Sequence, residues 1–315
     1  MSTQLKVIFG AAGFAMFPVE TRNEILSVLE NYNVKDIDTA YIYNGSEAAL
    51  AEVGAPARFT IDTKAPALVP KSLSKSSVLA GAKKSLDTLG VQQVDTYFLH
   101  APDYDTPLEE TLSAIQELYE AGTFVHFGLS NFTPTQVQEI YDLATAKGYV
   151  LPTVFQGNYN AVARSYEADL FPLLRKLGIK FYAYSPIAGG FLVKSAEAIK
   201  AGIKGGRWDP ESRFGQLYNK LYNKPKMVAA LEDWESIAAV AGVSKAALAY
   251  RWLIFNSILD PAYGDAAIIG ATTLEQLQET LTVIKDGPLP SAIAAKIDKI
   301  WDEIKDEAPV DNVHG

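Results

Sequence analysis

Strict alternation of strand and helix is the feature of this 315-residue sequence that leaves the fewest folds open. Short apolar runs at 6–10, up to Asp38, and at 59–63, 94–99, 124–129, 153–156, 179–184 and 266–270 read as buried strands. Apolar residues at helical spacing fill 21–30, 46–53, 74–89, 107–119, 134–146, 168–177, 227–241, 244–255, 274–285 and 290–304. The punctuation agrees with this reading. Thr21 stands three residues before Glu24, the spacing of a capping box. Gly90 and Gly178 stand where a helix ends in a left-handed residue. Units that alternate in this way imply parallel strands with helices outside. Eight such units closing on each other make a (β/α)8 TIM barrel, an α/β fold. The competing open doubly wound sheet needs Gly-x-Gly-x-x-Gly after a strand. Gly10-Ala-Ala-Gly13 is too short for that, and no other match follows a strand. The length suits one barrel and no linker divides it. The expectation is a single domain over 1–315, with a long excursion at 186–225 after the seventh strand and a closing helix at 290–304.

A barrel of this kind does its chemistry at the C-terminal ends of its strands. Asp38 ends the second strand, Lys64 the third, and His100 follows the fourth; Tyr43 lies on the loop five residues past Asp38. Taken singly, these residues read as a turn cap, a solvated charge and a structural histidine. One such group on each of three consecutive strands, with the offset tyrosine, is a constellation. A free phenol titrates near 10, too high for a ready donor, and an adjacent ammonium is expected to lower it. Asp38 can keep Lys64 charged and aimed, and His100 can bond a carbonyl oxygen. The set suits protonation of an oxygen as a carbonyl becomes an alkoxide. Electrons must come from elsewhere, which implies a hydride-donating cofactor. His126, on the alternating run Thr123-Phe-Val-His-Phe-Gly128, is expected to face outward.

Composition narrows the partners. There is no cysteine, hence no disulfide frame, thiolate metal site or cysteine nucleophile. The three histidines show no zinc spacing, and no metal is expected. A net charge of −9 argues against nucleic acid and anionic membranes as partners. No basic start with a long apolar run and no membrane-length apolar stretch occurs, so the expected compartment is cytoplasmic.

Seven short motifs then fall in order: Asp-Thr-Ala-x-x-Tyr at 38–43, Thr-Lys at 63–64, Leu-His-Ala-Pro-Asp at 99–103, Gly-Leu-Ser-Asn at 128–131, Gln-Gly-x-Tyr-Asn at 156–160, Phe-Tyr-Ala-Tyr-Ser-Pro at 181–186 and Leu-Glu-Gln-Leu at 274–277. From about residue 7 to about residue 304 the chain resembles the aldo-keto reductases, most closely the aflatoxin-aldehyde reductase branch and its fungal relatives. The resemblance places a catalytic tetrad on Asp38, Tyr43, Lys64 and His100. It implies NADPH (NADP+ when oxidised), lying extended across the barrel mouth. Ser130, Asn131 and Gln156 match the groups that hold the carboxamide, and Tyr184 the aromatic under the nicotinamide. Ser185, Pro186, Ile187, Ala188 and Gly190 match the pyrophosphate loop. Gly270, Thr272, Gln276, Glu279 and Thr280 match the adenosine end, where Thr280 replaces a frequent asparagine. Lys194 and Arg213 are the extra cations expected for the 2′-phosphate.

The resemblance also implies a small-molecule carbonyl substrate. Phe14 and Phe17 of the apolar first loop and Trp208 of the excursion are the expected substrate wall. The last residues lack the terminal arginine of the aldehyde-reductase relatives, which favours a bulky or aromatic carbonyl over a small carboxylated aldehyde, in detoxification or secondary metabolism. The reading leaves room for a homodimer. Two other functions fit parts of it: a non-catalytic nucleotide-binding subunit resembling the potassium-channel β subunits, and a barrel lyase or hydrolase using His100 and Asp38. The excursion, dense in aromatics and glycines, is expected either to close as a lid or to pack statically on the barrel.

Overall fold

A computed structural model describes residues 4–314. Eight strands, β1 (Lys6–Gly10), β2 (Asp36–Asp38), β3 (Thr60–Lys64), β4 (Val94–Leu99), β5 (Phe124–Ser130), β6 (Pro152–Asn158), β7 (Lys180–Tyr184) and β8 (Ala266–Ile269), pair in that order. All are parallel, and β8 closes on β1 with Lys6 opposite Ala266 and Phe9 opposite Ile269. The helices that return the chain are α1 (Val19–Asn31), α2 (Ser46–Glu52), α3 (Lys75–Leu89), α4 (Leu108–Glu120), α5 (Pro134–Lys147) and α6 (Leu170–Leu177). The excursion after β7 contains α7 (Ala196–Ala201) and α8 (Arg213–Tyr222). It is followed by α9 (Pro225–Ala241), α10 (Lys245–Arg251), α11 (Leu274–Val283) and the closing α12 (Ser291–Ile304). Among the described residues no single helix is long and apolar enough to cross a membrane.

The caps do much of the punctuation. Ser74 and Thr133 accept from the backbone three residues on, and Thr133 with Gln136 forms a full capping box. Gly90, Gly148, Gly178 and Gly242 close α3, α5, α6 and α9 in the left-handed conformation. The capping box expected at Thr21 does not form, because α1 starts at Val19 behind Pro18. A proline with its fixed φ already pre-sets that turn.

Both faces of the strands are buried, as a barrel requires. One parity packs on the helices: Phe9, Ile37, Ile61, Phe127, Leu129, Phe155 and Phe181 belong to the main core. The other parity fills the barrel, where Ile8, Phe98, Val154, Tyr182, Ala266 and Ile268 form a second cluster. His126 shares the inward parity of Gly128 and Ser130 and stands opposite Thr96, which is fully buried. The expectation that it faces outward is therefore corrected. With apolar residues on both faces, alternation along β5 does not say which parity is inside.

Gly128 is the position where the filling is tightest. A methyl added there would lie 2.3 Å from a ring carbon of Phe98, and the Phe98 ring lies under the Lys64 ammonium at 5.7 Å. Gly128→Ala is expected to destabilise the fold by about 1–3 kcal/mol in chemical unfolding, the usual cost of overpacking. Phe98→Leu in the same chain should recover part of the loss. An unchanged unfolding midpoint for Gly128→Ala would contradict this packing.

Candidate active site

β2 and β3 pair with Asp38 opposite Asp62, so Lys64 sits one step further toward the C-terminal mouth. Its ammonium reaches back to both carboxylate oxygens of Asp38, each at 2.6 Å, and donates to the Thr39 carbonyl at 2.8 Å. Lys64 is wholly buried and Asp38 nearly so. Gln156, from β6 across the barrel, donates to the same carboxylate at 2.8 Å. A buried charge of either sign alone would be costly; here each is paired and hydrogen-bonded. The Lys64 ammonium lies 5.1 Å from the centroid of the Tyr43 ring. His100 meets the same ring edge-on, with centroids 5.6 Å apart. The four residues expected to meet therefore do so at one end of the barrel.

The loop that carries Tyr43 is held by residues the sequence reading did not single out. Thr39 and Ser46 share a hydrogen bond at 2.8 Å, and Ser46 donates to the Ala11 carbonyl at 2.7 Å. Buried Glu47 accepts from Thr63 at 2.7 Å, one residue before Lys64. Ser46 and Glu47 look like the opening of a helix in the sequence, which they also are. Their second task depends on contacts with other strands.

Electrostatics correct one expectation. Burial pushes the Tyr43 hydroxyl above the ordinary phenol range, and the Lys64 charge pulls it only part of the way back. Tyr43 thus keeps its proton at neutral pH, as a donor must. Burial works against the Lys64 ammonium too, but its pKa is raised, with the Asp38 carboxylate the foremost group that offsets burial. Burial, with help from Lys64, pushes His100 well below the ordinary imidazole range. His100 is therefore neutral, and its buried Nδ1 has no hydrogen-bond partner among the described residues.

The residues expected around a cofactor are placed as follows. Asn131 donates to the His100 carbonyl at 2.9 Å and to Ser130 at 3.0 Å, and accepts from the Tyr184 hydroxyl at 2.7 Å. Asn131, just past β5, holds positive φ; so do Ser185, Ala188, Gly189 and Gly190, so the chain after β7 turns in a conformation that side chains resist. Pro186 and Ala188 are buried, and Ile187 and Gly190 half-buried, at the start of the excursion. Lys194 is half-buried, and burial alone lowers its pKa with no acid to offset it. Arg213 is exposed at the first position of α8. Gly270 and Thr272, which precede α11, and Gln276 and Glu279 on it are exposed, and Thr272 and Gln276 bond each other.

Three expected residues stand elsewhere. Thr280 is buried on α11, which packs against α10, and so does not share the exposed side that holds Gln276 and Glu279. Phe14 is wholly buried edge-on against Phe9 in the main core, while Met16 is the exposed residue of that loop and Phe17 is half-buried. Trp208 is buried in a stack with Phe191 and Tyr218, and its indole donates to the Gly189 carbonyl at 2.9 Å. It props the excursion and does not face a substrate. In this structure the excursion is packed, with Phe191, Trp208, Tyr218 and Tyr222 all buried.

Below the mouth, Asp62 faces inward with almost no exposure, and its Oδ1 accepts from the Thr96 backbone at 3.1 Å. Burial, then the charges of Asp38 and Asp95, push its carboxyl up to about 8. The folded chain therefore holds this proton between about pH 4 and 8, where an unfolded aspartate has lost it. Stability falls as pH rises across that window. Asp62→Asn, which mimics the protonated acid, should flatten that fall, as read by urea unfolding at both ends of the window. An equal pH dependence in both proteins would contradict the assignment.

The comparisons with known proteins agree with this geometry. Residues 6–302 match the aldo/keto reductase family. The chain is 40% identical over 316 residues to the oxidoreductase sirO of Leptosphaeria maculans, covering 96% of this chain and 95% of that one. It is 37% identical over 291 residues to human aflatoxin B1 aldehyde reductase member 2, covering 87% and 80%. A Monascus ruber aldo-keto reductase, pigE, is 26% identical over 333 residues, covering 96% of each. A closed parallel barrel, a lysine–aspartate pair buried beneath a tyrosine at its mouth, and a family match over almost the whole length place this chain in the aldo/keto reductase family.

Proposed function

We propose that this chain reduces an aldehyde or ketone to an alcohol with NADPH, and that Tyr43 is the general acid. The observation that carries the reading is the buried Lys64–Asp38 pair set against Tyr43, with His100 edge-on to the same ring. The balance is carbonyl plus NADPH plus a proton, giving alcohol plus NADP+.

Bound NADPH supplies the hydride that the carbonyl carbon accepts. The chain's part is to hold and deliver the proton. Neutral His100 can donate to the carbonyl oxygen without adding a second positive charge beside Lys64. Tyr43 stays protonated until charge develops on that oxygen, then gives up its proton. Lys64, kept cationic by Asp38, stabilises the phenolate left behind. Asn131, Ser130 and Gln156 would hold the carboxamide of the cofactor. Tyr184 would stack under its nicotinamide. The loop 185–190, which turns through the positive φ of Ser185, Ala188, Gly189 and Gly190, would hold the pyrophosphate. Lys194 and Arg213, with the N-terminus of α11, would meet the 2′-phosphate.

The rim supports a bulky, apolar carbonyl substrate. Met16, Ile42, Leu68, Val69, Tyr104 and Phe214 are exposed large apolar side chains. They stand on the segments that leave β1, β2, β3, β4 and β7, all at the C-terminal end of the barrel. The human relative's name, an aflatoxin aldehyde reductase, points the same way.

Tyr43→Phe removes the proton and keeps the ring. It should cut turnover at least about a hundredfold while leaving NADPH binding near wild type. Near-normal reduction of the best substrate in an aldehyde and quinone panel would overturn the mechanism. Replacing Lys194 and Arg213 together with Ala should weaken NADPH roughly tenfold or more and NADH little, because only NADPH has the second charged phosphate to meet them. Equal weakening of both cofactors would show that these cations lie elsewhere.

A further inference from the structure

Residues 311–314, which follow α12, make a set of contacts that the mechanism above does not use. Asp311 is buried, with 1% exposure. Its Oδ2 accepts from the Tyr166 hydroxyl at 2.9 Å and lies 2.8 Å from His314 Nδ1. Its Oδ1 accepts from the backbone N–H groups of Val313 at 2.7 Å and His314 at 2.6 Å. One carboxylate thus closes the turn on itself and bolts it to the barrel. Tyr166 is a rigid post for the bolt, because its ring sits edge-on against the stacked rings of Phe155 and Phe181 in the core.

The turn then touches the mouth on two sides. The backbone N–H of Asn312 points to the Tyr184 hydroxyl at 3.4 Å. That hydroxyl donates to Asn131 at 2.7 Å, and Asn131 bonds the His100 carbonyl and Ser130. On the far side, His314 Nε2 lies 3.3 Å from the Tyr104 hydroxyl, on the loop that follows His100. The Tyr184 hydroxyl is therefore held between two partners, one on the mouth and one on this turn. The two bonds pin the hydroxyl end of the side chain, and with it the place where the ring lies.

We propose that Asp311 is a positioning residue for the nicotinamide platform: it anchors a turn that fixes Tyr184, and through Tyr184 the carboxamide-holding Asn131. The proposal rests on the reading of Tyr184 and Asn131 given above. It differs from the simpler reading of this segment as a wall for substrate. A substrate wall changes the Michaelis constant for some carbonyls and not for others. A platform anchor changes cofactor affinity and the rate of reduction for all carbonyls alike.

The test begins without substrate. NADPH binding is titrated by quenching of tryptophan fluorescence in the wild type, Asp311→Ala, Tyr184→Phe and the double variant. Asp311→Ala should bind NADPH about threefold to tenfold more weakly, the worth of about one hydrogen bond. The double variant should be no weaker than the weaker single one, because both substitutions break one link. Single-turnover reduction should slow by one factor for a small and a bulky aldehyde. Asp311→Asn, which keeps an acceptor oxygen and the shape, should fall between wild type and Asp311→Ala, and it serves as the folded comparison if the alanine variant melts early. Unchanged NADPH affinity in the folded Asp311 variants overturns the proposal, as does an additive double variant. A Michaelis constant raised only for the bulky aldehyde assigns the segment to the substrate. A wild-type protein that binds no nicotinamide cofactor would instead overturn the proposed function.

Discussion

The charge of Lys64 inside the barrel is the constraint on which the rest of the site depends. A lysine without solvent exposure survives there only because Asp38 meets its ammonium with both oxygens and the Thr39 carbonyl takes a third bond. That pairing fixes the end of β3 against the end of β2. It also fixes the geometry above it: the tyrosine whose ring lies over the ammonium, and the glutamine that reaches across from β6 to the same carboxylate. The same low-dielectric surroundings that make an isolated charge costly make this one effective against charge that develops close by.

The barrel supplies what one local segment cannot. Asp38, Lys64 and His100 are far apart in the chain, and parallel pairing of β2, β3 and β4 brings them together. Close filling beneath them, with Phe98 held against Gly128, leaves the ammonium no water to retreat to. Loops carry the rest of the mouth: the apolar rim, the packed excursion and the turn anchored by Asp311. A barrel can keep one catalytic floor and still take different substrates, because its loops build the rim separately.

The four residues at the mouth were legible in the sequence because each is tied to a strand end, and strand ends are marked by where apolar runs stop. The strand order followed from strict alternation, and so did the closed barrel. Facing was not legible where both faces are apolar: His126 reads outward and lies inward. Nor was it legible for aromatic residues on loops, where Phe14 and Trp208 look like a wall and serve as packing. Thr280 was read through the resemblance, yet it is buried where α11 packs on its neighbour. Ser46, Glu47 and Asp311 act through partners distant in sequence, and no local pattern announces such contacts. The expected fall in the Tyr43 pKa also failed for a physical reason. The sequence shows the nearby cation but not how deeply the phenol is buried.

The central claim is that a buried, still-protonated Tyr43, and not His100, gives the proton. The pH dependence of the single-turnover rate of carbonyl reduction tests it most directly, with cofactor and substrate saturating so that binding does not intrude. Tyr43 is held above the ordinary phenol range and His100 well below the imidazole range. The account therefore predicts a rate that stays level between about pH 6 and 9. A rate that falls about tenfold for each unit of pH across that window would mean that a group already losing its proton there is the acid, and would contradict the account.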